Sequence, residues 1–491
     1  MKSKIWIIVL TFCLAGCSDF LEESSQDEIR PSTVEDMEQL LLGEVYMGMY
    51  DLISNVTNIF TDDLQCNGLI EEGDRYLLEG NRYQFTWQKD MFDENGGGNK
   101  TDLWEIPYQR IKGCNVVIDY LDRVTGSDTK RENLRAEAYT MRAFYYLMLV
   151  NYFGLPYNYG DPEKNPGVPL KLDMSVTEDK YPRNSVAEVY RSIEKDLLEA
   201  NRIYDKNRPT LTTLRAGRLM TKALLSRVYL YMEDWDNVLK YADEVLQEQS
   251  TLVDLNTLGR RENVYSASFD EIIWARPAYG GGSNSSMNLV PYSVSKDFIY
   301  SFDCGDWDID EGYDPWDDDG TVYRGDLRWC IYSVWGYDRR DWSLYFEKVS
   351  KSDNDGYHGI RTAEVYLNRA EAYIHKFIES GTDDFRVKAL ADLNHLRRYR
   401  FDQQREYKPV DYADGADLLD FYKAERRREL CDEENHRWFD LRRYGMPEIK
   451  HVFFVNPGEE STFILEKNSP RYVLPIPLKV LQANVRLEQN P

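Results

Sequence analysis

The sequence predicts a mainly α-helical protein, a scaffold of paired helices interrupted by a loop-rich insertion with short β-strands. Three observations predict it. Long apolar patterns at helical spacing run over about 104–248 and again over 362–445. Small alanines alternate with large side chains inside them, as close helix contacts require. Between them, residues 250–350 lose the helical period and fill with glycine, aspartate and tryptophan.

The amino end comes first. Lys2 and Lys4 precede an apolar run from Ile5 to about Ala15, too short for the ~20 residues of a membrane-crossing helix. A basic start, a short apolar centre and small residues before a break describe a secretory signal. The break is Leu14-Ala15-Gly16-Cys17. It resembles a bacterial lipobox, whose cysteine is acylated and becomes the new first residue. Residues 1–16 are therefore read as a signal peptide, and residues 17–30 as a lipidated tether. Acyl chains anchor a protein without spanning the membrane. No later apolar run reaches crossing length. The single domain is expected over 31–491.

Next come the helices. "PSTVEDMEQLLLGEVYMGMYDLI" opens one after Pro31, with Ser32 and Glu35 in the spacing of a capping box. Residues 61–103 read as irregular, and a helical pattern resumes from Trp104 to Val124. In "RAEAYTMRAFYYLMLVNYFGLPY" only Asn151 breaks the apolar run from Ala143 to Phe153, so this helix is expected buried on all sides. Gly154 and Pro156 end it. Ser185 and Glu188 form a second capping box ahead of Val189, Ile193, Leu197 and Ala200.

"RLMTKALLSRVYLYMEDWDNVLKYADEVLQE" predicts two helices with a turn over Glu233–Trp235. Ala223 and Ala242 sit among Leu224, Leu225, Tyr229, Tyr241 and Leu246. This resembles a tetratricopeptide (TPR) helix pair of about 34 residues, a unit that must stack on neighbours to bury its faces. "TAEVYLNRAEAYIHKFIESGTDDFRVKALADLNHLRRYR" repeats the plan. In the insertion, "EIIWA" and "LRWCIYSVW" read as strands, and the tail "YVLPIP" as a proline-marked strand before a helix-like turn.

Composition excludes several functions. A formal net charge of −25 repels nucleic acid and anionic membrane surfaces, which leaves lipid as the only expected membrane contact. Cys66, Cys114, Cys304, Cys330 and Cys431 are scattered and form no C-x-x-C, so neither a zinc site nor a disulfide framework is read. Cys114 and Cys431 lie in helical patterns as small core residues.

No catalytic set emerges. Glu434 and His436, two apart on a helix, point to different sides and lack metal-ligand spacing. Their cluster, Glu425 to Arg442, reads as an ion-pair network locking Trp438 and Leu441 to the body. "GGGNKT" is a broken phosphate loop. Asp306, Asp308 and Asp310 match the first positions of a calcium loop, but Glu311 replaces the required glycine and Asp317 the required glutamate. No cofactor is expected; an irregular calcium site at those three aspartates is the alternative.

The loop aromatics remain. With 36 Tyr and 11 Trp, aromatics are the unusual feature of the chain, and helix packing is expected to use most of them. Sugar rings pack their C–H faces on indole and phenol rings, and their hydroxyls need Asn, Asp or Arg partners. The candidates for ligand contact are Trp87 and Asn95 in 61–103, and Tyr279, Trp307, Trp316, Trp335 and Trp342 in 250–350, the two variable regions. Trp104, Trp235, Trp274 and Trp438 read as core.

Seven strings occur in order: the Cys17 lipobox with "SDFLEE", "RAEAYTMRAFYYLMLVNYFG", "ALLSRVYLYMEDW", "DLRW", "RTAEVYLNRAEAY" with "ALADLNHLR", "ERRRELCDEENHRWFDLRRYG", and "LPIP" with a terminal "QNP". Together they resemble the SusD/RagB family of outer-membrane nutrient-binding lipoproteins. The resemblance implies a TPR-like scaffold, attachment to the extracellular face of the outer membrane through Cys17, and pairing with a SusC-like TonB-dependent transporter. It implies capture of an oligosaccharide or polysaccharide, without bond breaking. A peptide or glycopeptide ligand is the family's alternative. A secreted glycoside hydrolase and a ligand-free TPR scaffold are the alternatives from other classes.

Overall fold

The computed structural model describes residues 31–46, 56–69, 72–92, 103–176, 180–258, 269–277, 291–308, 321–337, 344–349 and 357–491, with the backbone alone at 277, 333–337, 344–349, 357 and 358. Its helices are α1 (Val34–Leu40), α2 (Arg75–Phe85), α3 (Glu105–Tyr120), α4 (Asp128–Phe153), α5 (Val186–Asn207), α6 (Arg218–Met232), α7 (Trp235–Leu246), α8 (Thr362–Ser380), α9 (Asp383–Arg398), α10 (Gly415–Glu429), α11 (His436–Arg443) and α12 (Leu478–Ala483). The short helices Lys296–Ile299 and Arg328–Ile331 lie in the insertion.

From α3 to α9 each helix packs on the next, so the chain stacks in sequence order. The insertion between α7 and α8 does not interrupt this stack: α8 lies directly against α7. The fold is therefore mainly α, with the paired-helix plan the alternation predicts. Ala223 and Ala242 are buried, where a larger side chain would hold the helices apart. α4 is buried along nearly its whole second half, as its all-round apolar character requires. Gly154 caps its end.

Ion pairs tie the layers. Arg142 of α4 holds Asp196 of α5 at 2.7 Å, and Arg227 of α6 holds Glu364 of α8 at 2.6 Å. Arg369 of α8 reaches both Asp243 of α7 at 2.7 Å and Asp392 of α9 at 2.6 Å.

Local signals act as the residues dictate, with four corrections. Ser185 Oγ accepts from the Glu188 amide at 3.2 Å, and the Glu188 carboxylate accepts from the Ser185 amide at 2.8 Å, the reciprocal box expected. At α1 the box forms one residue later than expected, between Thr33 and Asp36, because the Ser32 carbonyl accepts from the Thr125 amide at 3.0 Å. Residues 61–103, read as irregular, contain α2. "LRWCIYSVW" begins as the helix Arg328–Ile331, and only Ser333 onward is strand. "YVLPIP" begins in the short helical turn Pro470–Tyr472 and continues without strand pairing, since its prolines remove ladder donors and its Leu474 amide bonds the Tyr152 carbonyl at the end of α4 instead.

Eight strands form four antiparallel pairs: β1 (Leu64–Cys66) with β3 (Tyr292–Val294), β2 (Ile272–Pro277) with β6 (Tyr357–Arg361), β4 (Ser333–Tyr337) with β5 (Leu344–Val349), and β7 (Ile449–Phe453) with β8 (Ser461–Leu465). The β2–β6 pair sets Ala275 opposite Gly359 and leads directly into α8, which fixes the base of the insertion. A Cβ on Gly359 would lie 2.1 Å from the Trp274 carbonyl oxygen, so only glycine permits this approach.

Candidate functional site

The loop face stands on a buried lattice of charges. Glu429, at the end of α10, accepts from Arg361 at 2.6 Å, Arg328 at 2.9 Å and Arg400 at 2.9 Å. Glu271, just before β2, accepts from Arg361 at 2.7 Å and Arg400 at 3.1 Å. Asp326 and Glu425 hold Arg328 at 2.6 and 2.7 Å, and Glu433 holds Arg361 at 2.9 Å. All these groups are buried. Burial alone would raise the Glu429 carboxyl; Arg400, Arg361 and Arg328 hold it well below the ordinary carboxylate range.

The same lattice disposes of the Glu434–His436 pair as chemistry. Glu434 is engaged by Arg276 at 2.9 Å, and His436 is buried and kept neutral, first by desolvation and then by surrounding arginines. The network reading of residues 425–442 stands, and Trp438 is fully buried, stacked on Tyr472 at 5.0 Å.

Above the lattice, two glycines clamp the acidic run. Gly305 (φ 66°) and Gly325 (φ 64°) cross so closely that a Cβ on either would meet a carbonyl oxygen at 2.3 Å. The Asp306 amide donates to the Tyr323 carbonyl at 2.9 Å, and the Asp326 amide to the Asp303 carbonyl at 2.6 Å. Residues 309–320, which include Trp316 and Asp310, leave from this base and lie outside the described residues.

Trp307 sits on the clamp. Its ring is half-buried, edge-on to Trp329 with centroids 6.2 Å apart, and its indole N–H has no acceptor among the described residues. Asp306 beside it is in an ion pair with Arg405, whose guanidinium lies 4.4 Å above the Tyr323 ring. An indole next in the chain to a carboxylate that carries a guanidinium and, through it, a phenol ring offers the groups that pack a sugar ring and bind its hydroxyls. Arg405 and Tyr323 carried no sequence signal as site residues; only the fold brings residue 405 to residue 306.

Of the other candidates, Trp87 is a correction. It is 1% exposed, its indole N–H donates to the Phe60 carbonyl at 3.0 Å, and its ring stacks on His451 at 4.2 Å. The unexpected helix α2 ends at Phe85, and Trp87, at φ 52°, turns its indole back into the body. It is core. Trp335 lies in β4 opposite Phe346 of β5, just past a bulge, and its side chain is outside the described residues. Asn95, Tyr279, Trp316, Trp342 and Cys17 lie outside them altogether.

Of the three aspartates of the calcium alternative, Asp306 is in an ion pair with Arg405, Asp308 is exposed, and Asp310 lies outside the described residues. Cys114 and Cys431 are buried core thiols, as expected.

Comparison with known proteins now bears on this geometry. The family described as "Starch-binding associating with outer membrane" matches residues 19–230, and that described as "SusD family" matches residues 339–491. The chain belongs to the SusD/RagB family. It is therefore an outer-membrane-associated protein of a carbohydrate-binding, non-catalytic family, not an enzyme. SusD-like protein P2 of Formosa agariphila is 25% identical, over 100% of this chain and 99% of that relative. Among solved structures, a putative sugar-binding protein of Bacteroides vulgatus has a TM-score of 0.69 at 21% identity, covering 94% of this chain and 99% of the other. A SusD-like carbohydrate-binding protein of the same species has a TM-score of 0.66 at 20% identity, covering 93% and 97%. Among the described residues no helix is long and apolar enough to cross a membrane.

Proposed function

We propose that this SusD-family protein is a lipoprotein of the outer membrane, anchored through Cys17 with its body outside the cell, that captures an oligosaccharide or polysaccharide and delivers it to a SusC-like TonB-dependent transporter. The observation that carries the ligand reading is the half-buried Trp307 on its glycine clamp, next in the chain to the Asp306–Arg405 ion pair that stacks on Tyr323. Asn95, Tyr279, Trp316, Trp335 and Trp342 are proposed to complete the ligand surface. The buried lattice beneath keeps the plate rigid, so little ordering cost is left for binding.

Calorimetry against soluble starch, xylan, pectin and laminarin tests this. Trp307→Ala is expected to weaken the bound glycan about tenfold, the ~1.4 kcal/mol of one lost aromatic contact. Trp87→Phe loses the bond to Phe60 and is expected to lower the melting temperature without changing affinity. Equal affinity of wild type and Trp307→Ala would remove the plate from the site.

Anchoring is tested separately. Cys17→Ala is expected to move the protein from the membrane pellet to the soluble fraction of the native host. Retention of the variant in the pellet would refute lipid attachment at this residue.

A further inference from the structure

His451 of β7 sits in a box built from the other end of the chain. Its ring stacks on Phe85 with centroids 4.0 Å apart and on Trp87 at 4.2 Å, with interplanar angles of 12° and 22°. Two rings that close and that parallel cannot share one face, so the imidazole lies between them. At its edge, Nδ1 is 2.6 Å from the Phe85 carbonyl oxygen and Nε2 is 2.9 Å from the Thr61 carbonyl oxygen. All four residues are buried.

A carbonyl oxygen only accepts, so this geometry asks both ring nitrogens to donate. A neutral imidazole has one N–H and would turn a lone pair on the other oxygen, whereas the imidazolium has two N–H groups. The ring faces act with the carbonyls. Indole and phenyl faces are negative and attract a cation held against them.

The surroundings divide. Burial acts first, against the charge, while the Phe85 and Thr61 carbonyls and then Asp62 act for it. Asp62 and Asp63, which follow Thr61, are paired with Arg437 of α11 and Arg427 of α10 respectively. From α2, Arg82 lies 4.9 Å over the Phe453 ring and beside Glu79. β8 places the uncharged Phe463 opposite His451, and Lys450 on β7 is exposed. The carbonyl that a neutral ring cannot serve is itself buried, and leaving it unpaired carries its full desolvation cost. That cost and the two ring faces tip the balance toward the charged ring.

We propose that His451 is an imidazolium at neutral pH, and that its second ring proton fastens the segments carrying Thr61 and Trp87 to β7. The proton is held more tightly while these segments are closed on the ring than when they open. Closure is therefore full below the pH at which a free histidine titrates, about 6.5, and weakens as pH rises through the value of the closed ring. The device is a latch released by alkali, and the release is local to this box.

The test is nitrogen NMR of the full chain labelled at its five histidines, followed from about pH 6 to about pH 10. Both ring nitrogens of His451 are expected to carry protons still at about pH 8, where a free imidazole is mostly neutral. The signal is identified by its loss in His451→Leu or, if that variant does not fold, by its displacement in Trp87→Phe, which alters one wall of the box. The Trp87 indole N–H, bonded to the Phe60 carbonyl at 3.0 Å, gives the second reading. Its exchange with solvent, corrected for the intrinsic effect of pH, is expected to quicken at least about tenfold as His451 loses its proton. In His451→Leu that exchange is expected to be fast already at about pH 7, with no further step. One protonated and one bare nitrogen on His451 at about pH 7 overturns the buried charge. A charged ring whose titration leaves Trp87 exchange unmoved overturns the fastening.

Discussion

Glu429→Ala will destabilise the protein by about 3–5 kcal/mol, the cost of removing one partner from a buried ion pair. The carboxylate serves Arg361 at 2.6 Å, Arg328 at 2.9 Å and Arg400 at 2.9 Å, and none of the four side chains is more than 1% exposed. Taking it away leaves buried guanidinium groups facing one another with Glu271, Glu425, Asp326 and Glu433 to share. The damage falls where β2, β6, α10 and the segment carrying Trp329 meet, so ligand affinity is expected to fall with stability. Urea unfolding followed by tryptophan fluorescence measures it. Glu72→Ala removes an exposed partner of Arg75 and is expected to change nothing measurable. An unfolding midpoint equal to wild type for Glu429→Ala would show that the lattice does not hold the loop face.

Acid will unfold the protein through the same kind of contact. Burial works against an ionised Glu371, yet Arg443, at 2.5 and 2.7 Å, leads the interactions that pull its carboxyl from 4.5 to about 2. A carboxyl depressed in the folded state stabilises it above the unfolded value and loses that contribution as pH falls toward the folded one. For Glu371 that is about 3 kcal/mol, lost between roughly pH 4.5 and 2. Glu429 acts in the same direction. Glu137, Asp196 and Asp392 are raised, chiefly by burial, and offset part of this because acid relieves their cost. The melting temperature is expected to be level above about pH 5 and to drop below it. Glu371→Gln should start lower at neutral pH and fall less steeply, so that the two curves draw together near pH 2. Parallel curves would rule Glu371 out as a source of the acid sensitivity.

The helical half of this molecule is readable because its information is local. Ser185 and Glu188 announce α5 four residues at a time, and Ala223 and Ala242 announce a tight helix pair before any contact is known. The turn at Glu233 is marked by polar residues between two apolar runs, and it is where the backbone turns left-handed, at φ 60°. The charged run around Glu425 to Arg442 was legible as a network, but not its partners: Arg328, Arg361 and Arg400 come from distant segments. Trp87 departs from its sequence expectation for the same reason. A tryptophan in a polar, glycine-bearing stretch looks exposed, and only α2 and the strand holding His451 make a socket for it. Arg405 and Tyr323 join Trp307 through tertiary geometry that no spacing encodes.

The crossing of Gly305 and Gly325 has an evolutionary consequence. Main-chain bonds at this crossing fix the two ends of the span between them, so its ends are closed whatever residues lie in its middle. Doubling the length of a flexible loop costs only about 0.6 kcal/mol in closure entropy. Insertions in the middle of that span therefore lengthen a loop that is already closed at its base, at little cost to the body that carries it.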